Sequence, residues 1–287
     1  MDERPEMVAD YGCHCGENPL WHPGERRLYW TDITTGRLFH YTPSTGEHEN
    51  FYSGDIVGGF TVQSNGDLLL FMDRGAVKVW RDGELIPVID ELPEERDSRF
   101  NDVIADPEGR VFCGTMSTSD RAGSLYRLER DCTITRVLKG VGCSNGMGFT
   151  PDLKGMYHTD SEVQEVRLYD YKRSTGELSG GELFMGLPSG EGNPDGMTVD
   201  SEGCLWSAIW DGGRLARYST SGNELLRIPF PARKVSSVIF GGDELDELYV
   251  TTAGGDSKDR EGPGAGGLFR LRPGVRGVPE FPSRIGI

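Results

Sequence analysis

The chain has 287 residues, a formal net charge of −16 and an isoelectric point near 4.8. Nucleic acid and anionic membranes both need a basic face, so neither is expected as a partner; no apolar run approaches the roughly 20 residues of a spanning helix. The acidic start MDERPEMVADYG has no apolar h-region, and the six cysteines are scattered without C-x-x-C pairing, which together read as reduced thiols in a cytoplasmic protein.

Along the chain, a turn followed by an alternating apolar strand recurs. It reads HPGERRLYWTDI from His22, QSNGDLLLFMD from Gln63, DPEGRVFCGTM from Asp106, TPDLKGMYHTD from Thr150, DSEGCLWSAIW from Asp200 and GGDELDELYVTTA from Gly241. The starts lie 41, 43, 44, 50 and 41 residues apart, and a second strand follows each, as in GRLFHYT, GAVKVWR and GSLYRLE. Six copies of a sheet-sized unit at this period predict an all-β fold, a six-bladed β-propeller with a central metal site, spanning residues 1–287 as one domain. No stretch of helical period separates the repeats, which argues against an α/β barrel or solenoid. A pair of β-sandwiches would not keep one phase across the whole chain. The Gly-rich segment GGDSKDREGPGAGG (254–267) reads as a mobile loop between strands of the last blade.

Five residues before each turn stand Glu17, Gly58, Asn101, Asn145, Asp195 and Ser236, whereas the residue just before each turn is apolar. Innermost propeller strands line a central channel and one phase of each points at the axis. A ring of Glu, Asn, Asn and Asp is therefore expected there, with Gly58 and Ser236 leaving room. Carboxylates and amide oxygens gathered in a dry channel need a counter-charge. A divalent cation (Ca²⁺, Mg²⁺, Mn²⁺ or Zn²⁺) meets that need through hard oxygen donors. Cys13, His14 and Cys15 lack the second ligand pair of a structural zinc site and read as ordinary strand packing.

The motifs GENPLW, RFNDVIADPEGRVFCGTM, SNGMGFTPD, NPDGMTVDSEGCLW and SSVIFGGDELDELYVTTA, in this order and spacing, resemble the SMP-30/gluconolactonase/regucalcin family of sugar lactonases. The resemblance implies a single divalent cation held by Glu17, Asn145 and Asp195, with Arg99 and Asn101 facing the substrate. It implies hydrolysis of a small-molecule lactone, an aldonolactone such as gluconolactone; Asp195 is the candidate for taking a proton from water, with metal hydroxide as the alternative nucleophile if Asp195 stays bound to the cation. In the animal members the loop after GTM supplies a glutamate to the sugar hydroxyls; here Ser119 stands at that place, beside Asp120, which leaves the preferred sugar open. A calcium- or ligand-binding propeller without turnover, and a hydrolase of phosphotriesters or non-sugar lactones, remain alternatives. A monomer is the expected state. A nucleophilic serine is not expected: no G-x-S-x-G elbow is read in the chain, and a propeller supplies no strand-to-helix turn for one.

Overall fold

The computed structural model describes residues 4–286. Its first strand, β1 (Glu6–Asp10), precedes the repeats. Blade 1 is β2 (Gly16–His22), β3 (Arg27–Asp32), β4 (Arg37–Thr42) and β5 (Glu47–Ser53). Blade 2 is β6 (Val57–Val62), β7 (Leu68–Met72), β8 (Val77–Arg81) and β9 (Glu84–Ile89). Blade 3 is β10 (Phe100–Ala105), β11 (Val111–Thr115), β12 (Gly123–Leu128) and β13 (Ile134–Val141). Blade 4 is β14 (Ser144–Phe149), β15 (Gly155–Asp160), β16 (Glu165–Lys172) and β17 (Glu177–Gly186). Blade 5 is β18 (Asn193–Val199), β19 (Leu205–Trp210), β20 (Arg214–Tyr218) and β21 (Glu224–Pro229). β22 (Val235–Gly241), β23 (Glu247–Thr252) and β24 (Gly267–Leu271) make the last blade.

Each blade is a four-stranded antiparallel meander, and the first strands β2, β6, β10, β14, β18 and β22 pack against one another in sequence around a closed ring. The six-bladed propeller expected from the repeat is the fold. Its last blade has the order β22-β23-β24-β1, so the N-terminal strand supplies the fourth strand, with Met7 opposite Phe269. The repeat pattern gave no sign of this, because β1 has no turn of the repeat type ahead of it.

The turns explain themselves chemically. Asp106 and Asp200, both fully buried, open D-x-x-G turns whose glycines, Gly109 and Gly203, hold φ of 84° and 79°. Asp106 Oδ1 accepts the Glu108 and Arg110 N–H groups at 2.8 and 3.0 Å, and Oδ2 accepts from Arg110 Nε (2.6 Å) and the Tyr171 hydroxyl (2.8 Å) of the next blade. Asp200 repeats the scheme with Glu202, Cys204, the Trp206 indole N–H and Arg217. Both oxygens of each buried acid are thus hydrogen-bonded within the turn and to its neighbours.

The core is divided. Among the described residues six apolar clusters form, one at each blade interface. Examples are Phe71 and Val77 with Phe100 and Cys113 between blades 2 and 3, and Trp30 and Phe39 with Tyr249 and Leu268 between the last blade and blade 1. Because both faces of every sheet meet a neighbour, the inner and second strands are buried along almost their whole length, polar residues included.

Two connections differ from a bare repeat. Segment 254–267 lies between β23 and β24 as expected, but it carries a short helix α1 (Lys258–Glu261) and docks on the N-terminal segment. The Gly254 and Gly255 N–H groups donate to the His14 and Cys13 carbonyls at 3.0 and 2.9 Å. After β24 the chain forms a strap across one end of the channel. Gly277 bridges to Asp200 and donates to the Leu245 carbonyl, Ser283 pairs with Gln63, and the Arg284 N–H reaches the Gly109 carbonyl at 2.9 Å.

Inner strands approach so closely that side chains are excluded at fixed points. A Cβ on Gly58 would sit 2.0 Å from the Phe100 carbonyl oxygen of β10, so glycine at this place in the ring is a packing demand rather than spare room. Gly58→Ala is expected to lower stability by about 2 kcal/mol or more, read from the urea midpoint, because backbone rather than a flexible side chain must give way.

Candidate active site at the channel axis

Every inner strand breaks register in its first half. Glu17–Leu20 spans only Thr31–Tyr29 on the partner strand, Phe100–Val103 spans Thr115–Cys113, Ser144–Met147 spans Asp160–His158, and Pro194–Met197 spans Ile209–Ser207. β6 and β22 slip at Val57–Gly59 and Val235–Ser237. A β-bulge adds one residue to one strand and re-aims its side chains. Repeated around the axis, it frees two consecutive residues from strict alternation. Glu17, Asn101, Asn145 and Asp195 occupy one level; Asn18, Asp102 and Ser237, next in sequence to ring positions, line the cavity below.

The upper level carries a hydrogen-bonded chain, and beside it two carboxylate oxygens that have no partner. Arg99, half-buried, donates from Nη1 to Asn101 Oδ1 at 2.6 Å and to the Phe100 carbonyl at 2.9 Å. Asn101 Nδ2 donates to Asn145 Oδ1 and to the Ser144 carbonyl, both at 2.9 Å. Asn145 Nδ2 donates to Ser161 Oγ at 2.9 Å, and Ser161 Oγ donates to the Pro194 carbonyl at 2.6 Å. This chain ties blades 3, 4 and 5 together at the axis. Asn18 ties blade 1 to blade 2 by pairing both amide atoms with the Phe60 backbone at 3.2 Å.

Glu17 and Asp195, 5% and 3% exposed, stand apart: Glu17 Oε2 and Asp195 Oδ1 have no hydrogen-bond partner. Burial is the largest force raising the Glu17 carboxyl well above the usual range, followed by the charges of Asp195 and Asp102, with Arg99 opposing. Asp195 is raised in the same sense by burial and then by Asp102, against the Gly196 N–H and Arg99. Asp102, missed in the sequence reading, is pushed up to about 7 by burial, again with Arg99 opposing. Among the described residues no three His, Cys, Asp or Glu side chains could jointly hold an ion. Any cation here would need the Asn145 amide oxygen beside the two carboxylates. That donor set, two carboxylates with orphaned oxygens plus an amide, fits a hard divalent cation.

The other candidates separate. Cys13 is buried in strand packing and its thiol is pushed up to about 12, mainly by burial; His14 is exposed. Cys15 lies nearer the axis, its thiol raised by burial and then by Glu17. All six cysteines are free. Ser119 is exposed on the loop from β11 to β12 and its hydroxyl donates to Asp120 Oδ1 at 3.2 Å, so no hydrogen bond connects it to the axial ring. The expectation that the chain lacks a G-x-S-x-G is corrected: Gly142–Gly146 spells that motif, and Ser144 Oγ lies 2.8 Å from His158 Nε2. Yet Ser144 sits on an inner strand, 0% exposed, where a Cβ on Gly114 would come within 2.0 Å of its oxygen. That dyad is sealed between blades and cannot meet a substrate.

Fold and ring define a six-bladed propeller with a polar axial site of two uncompensated carboxylates and two amides. The SMP-30/Gluconolactonase/LRE-like region matches residues 15–254, and the chain belongs to this family. It is 49% identical to the pentonolactonase XacC of Haloferax volcanii over 288 residues, covering 97% of each chain. It is 33% identical to regucalcin of Bos taurus, covering 96% of this chain and 97% of that one. A solved luciferin-regenerating enzyme superposes with a TM-score of 0.89 at 30% identity, over 98% of this chain and all of the other.

Two outcomes follow from these environments. In chelator-treated protein, Asp195→Asn should raise the melting temperature. The folded carboxyls keep protons that the unfolded chain releases near its ordinary carboxylate pKa, so each rise in pH above that range costs stability, and the substitution removes part of that cost. His158 is buried neutral, its pKa lowered to about 4 by desolvation. Between pH 6.5 and about 4 the unfolded chain binds a proton that the folded chain refuses, so stability falls as pH falls, by about 1.4 kcal/mol per unit. His158→Gln should flatten that limb of a pH–stability profile from urea titrations.

Proposed function

We propose that the chain is a divalent-cation-dependent lactonase that opens a sugar lactone, a pentonolactone or other aldonolactone, to its hydroxy acid. The observation that carries this reading is the pair of buried carboxylates with orphaned oxygens at the axis, beside a half-buried arginine. Its support in sequence is the 49% identity to a relative named pentonolactonase. Glu17, Asn145 and Asp195 would hold the cation, whose identity among Ca²⁺, Mg²⁺, Mn²⁺ and Zn²⁺ the donors do not distinguish. When bound it supplies Lewis-acid polarisation of the lactone carbonyl and lowers the pKa of water.

The chain's own groups do the rest. Arg99 spends Nη1 on Asn101 and the Phe100 carbonyl, which leaves Nε and Nη2 to hold carbonyl or hydroxyl oxygens of the substrate. Asn101 is fixed by three bonds and holds Asn145 in orientation. Asp195 takes the proton as water adds to the carbonyl carbon; the ring C–O bond then breaks and the ring oxygen leaves with a proton as a hydroxyl. The site works as a cytoplasmic monomer in this reading, and Ser119, on its exposed loop, contacts only outlying hydroxyls of the sugar.

Acid release from pentonolactones and gluconolactone, followed with and without chelator, tests the proposal. Chelation should abolish activity and a divalent salt should restore it. Asp195→Ala and Glu17→Ala should each cost about a thousandfold in kcat/KM while circular dichroism is unchanged. Arg99→Ala should raise KM more than it lowers kcat. Full activity in Asp195→Ala, or turnover indifferent to chelator, would overturn the proposal; a folded protein that binds cation tightly and opens no lactone would make it a binding propeller.

A further inference from the structure

Below the axial ring the channel widens into a second chamber of about 500 Å³, within the range of small-molecule sites. Its walls are apolar: Trp21, Phe60, Met147, Met197 and Ile239 contribute. Asp102 faces it from the ring side, and Glu280 and Phe281 of the C-terminal strap close the opposite side. Pro23, Gly24 and Asn65, all exposed, also border it, so the chamber communicates with solvent at the edge of blades 1 and 2.

The polar groups of the chamber are mostly committed. Asn18 is spent on the Phe60 backbone, Gln63 on the Ile285 backbone, Thr61 on Ser283, and His22 on the Glu25 N–H and the Gly66 carbonyl. Among the described residues Asp102 and Glu280 have neither a hydrogen-bond nor an ion-pair partner, and no lysine or arginine lines the chamber. Asp102 is only 9% exposed and is among the residues that line the chamber. A buried carboxylate left without a donor costs more than one that is bonded.

We propose that this lower chamber is a second binding site, separate from the lactone site, for a small primary ammonium compound with an apolar body. The ammonium donates to Asp102, the body lies along Trp21, Phe60 and the methionines, and Glu280 adds negative potential at the strap. A bare metal ion is the poorer occupant: among the described residues Asp102 and the Ser237 hydroxyl are the uncommitted oxygen groups at the ring end, whereas a hard cation takes six or more oxygens. Anions, including a hydroxy-acid product, are repelled by both carboxylates and find no cation to meet them.

Calorimetric titration of n-hexylammonium chloride, against 1-hexanol and sodium hexanoate of the same chain length, tests the site. The protein is kept in calcium chloride so that the Glu17–Asp195 pair is not what the amine reads. Saturable binding of the amine alone is expected, weakened about tenfold by Asp102→Asn and about threefold by Glu280→Gln. Equal binding of hexanol, displacement by added calcium, or unchanged affinity in Asp102→Asn would overturn the site. Should circular dichroism show that variant unfolded, Glu280→Gln decides, and unchanged affinity there overturns it.

Discussion

Two carboxylates are kept out of water at the centre of a ring whose asparagine side chains are all hydrogen-bonded through both oxygen and nitrogen. Arg99, Asn101, Asn145 and Ser161 pass hydrogen bonds from blade to blade, while one oxygen each of Glu17 and Asp195 receives none. An interior that satisfies its amides so completely and leaves two acids short is not poorly packed; it is arranged around a charge that must come from elsewhere. The buried turn acids Asp106 and Asp200 show the contrast, since each is surrounded by donors from its own turn and from arginine.

The scaffold holds this arrangement by repetition. Six inner strands meet round the axis, each with a bulge near the same level, and glycines stand where a neighbour's backbone comes too close for a side chain. Gly146 faces the Asp195 carbonyl in this way, a Cβ there lying 2.4 Å from that oxygen. Precision at the axis thus comes from backbone contact between blades rather than from long side chains, and apolar packing is delegated to the interfaces further out.

Much of this was legible from spacing. Glu17, Asn101, Asn145 and Asp195 stand at one offset from the repeat turn, and a shared offset in a propeller means a shared level. Asp102 was hidden by the same logic: strict alternation would point it between blades, and only the extra residue in β10 turns it to the channel. Gly58 was visible as a gap, but its cause, the Phe100 carbonyl of the neighbouring blade, is a contact between strands distant in sequence. The G-x-S-x-G at Gly142–Gly146 shows the reverse failure, a local motif whose meaning is cancelled by its seat on a buried strand. The strap after β24 has no counterpart in the repeat, so periodicity could not place it.

The pairing of β1 with β24 has its own consequence for how the molecule comes into being. Of the described strands Glu6–Asp10 leaves the ribosome first and Gly267–Leu271 last, so β1 waits through the synthesis of every blade for its neighbour. Until then the flank of blade 1 has no last blade to cover it, and β1, the outer strand of the final sheet, has no partner. The ring gains its full cooperativity only once β24 has been made, and until then other means must keep that apolar flank from strangers.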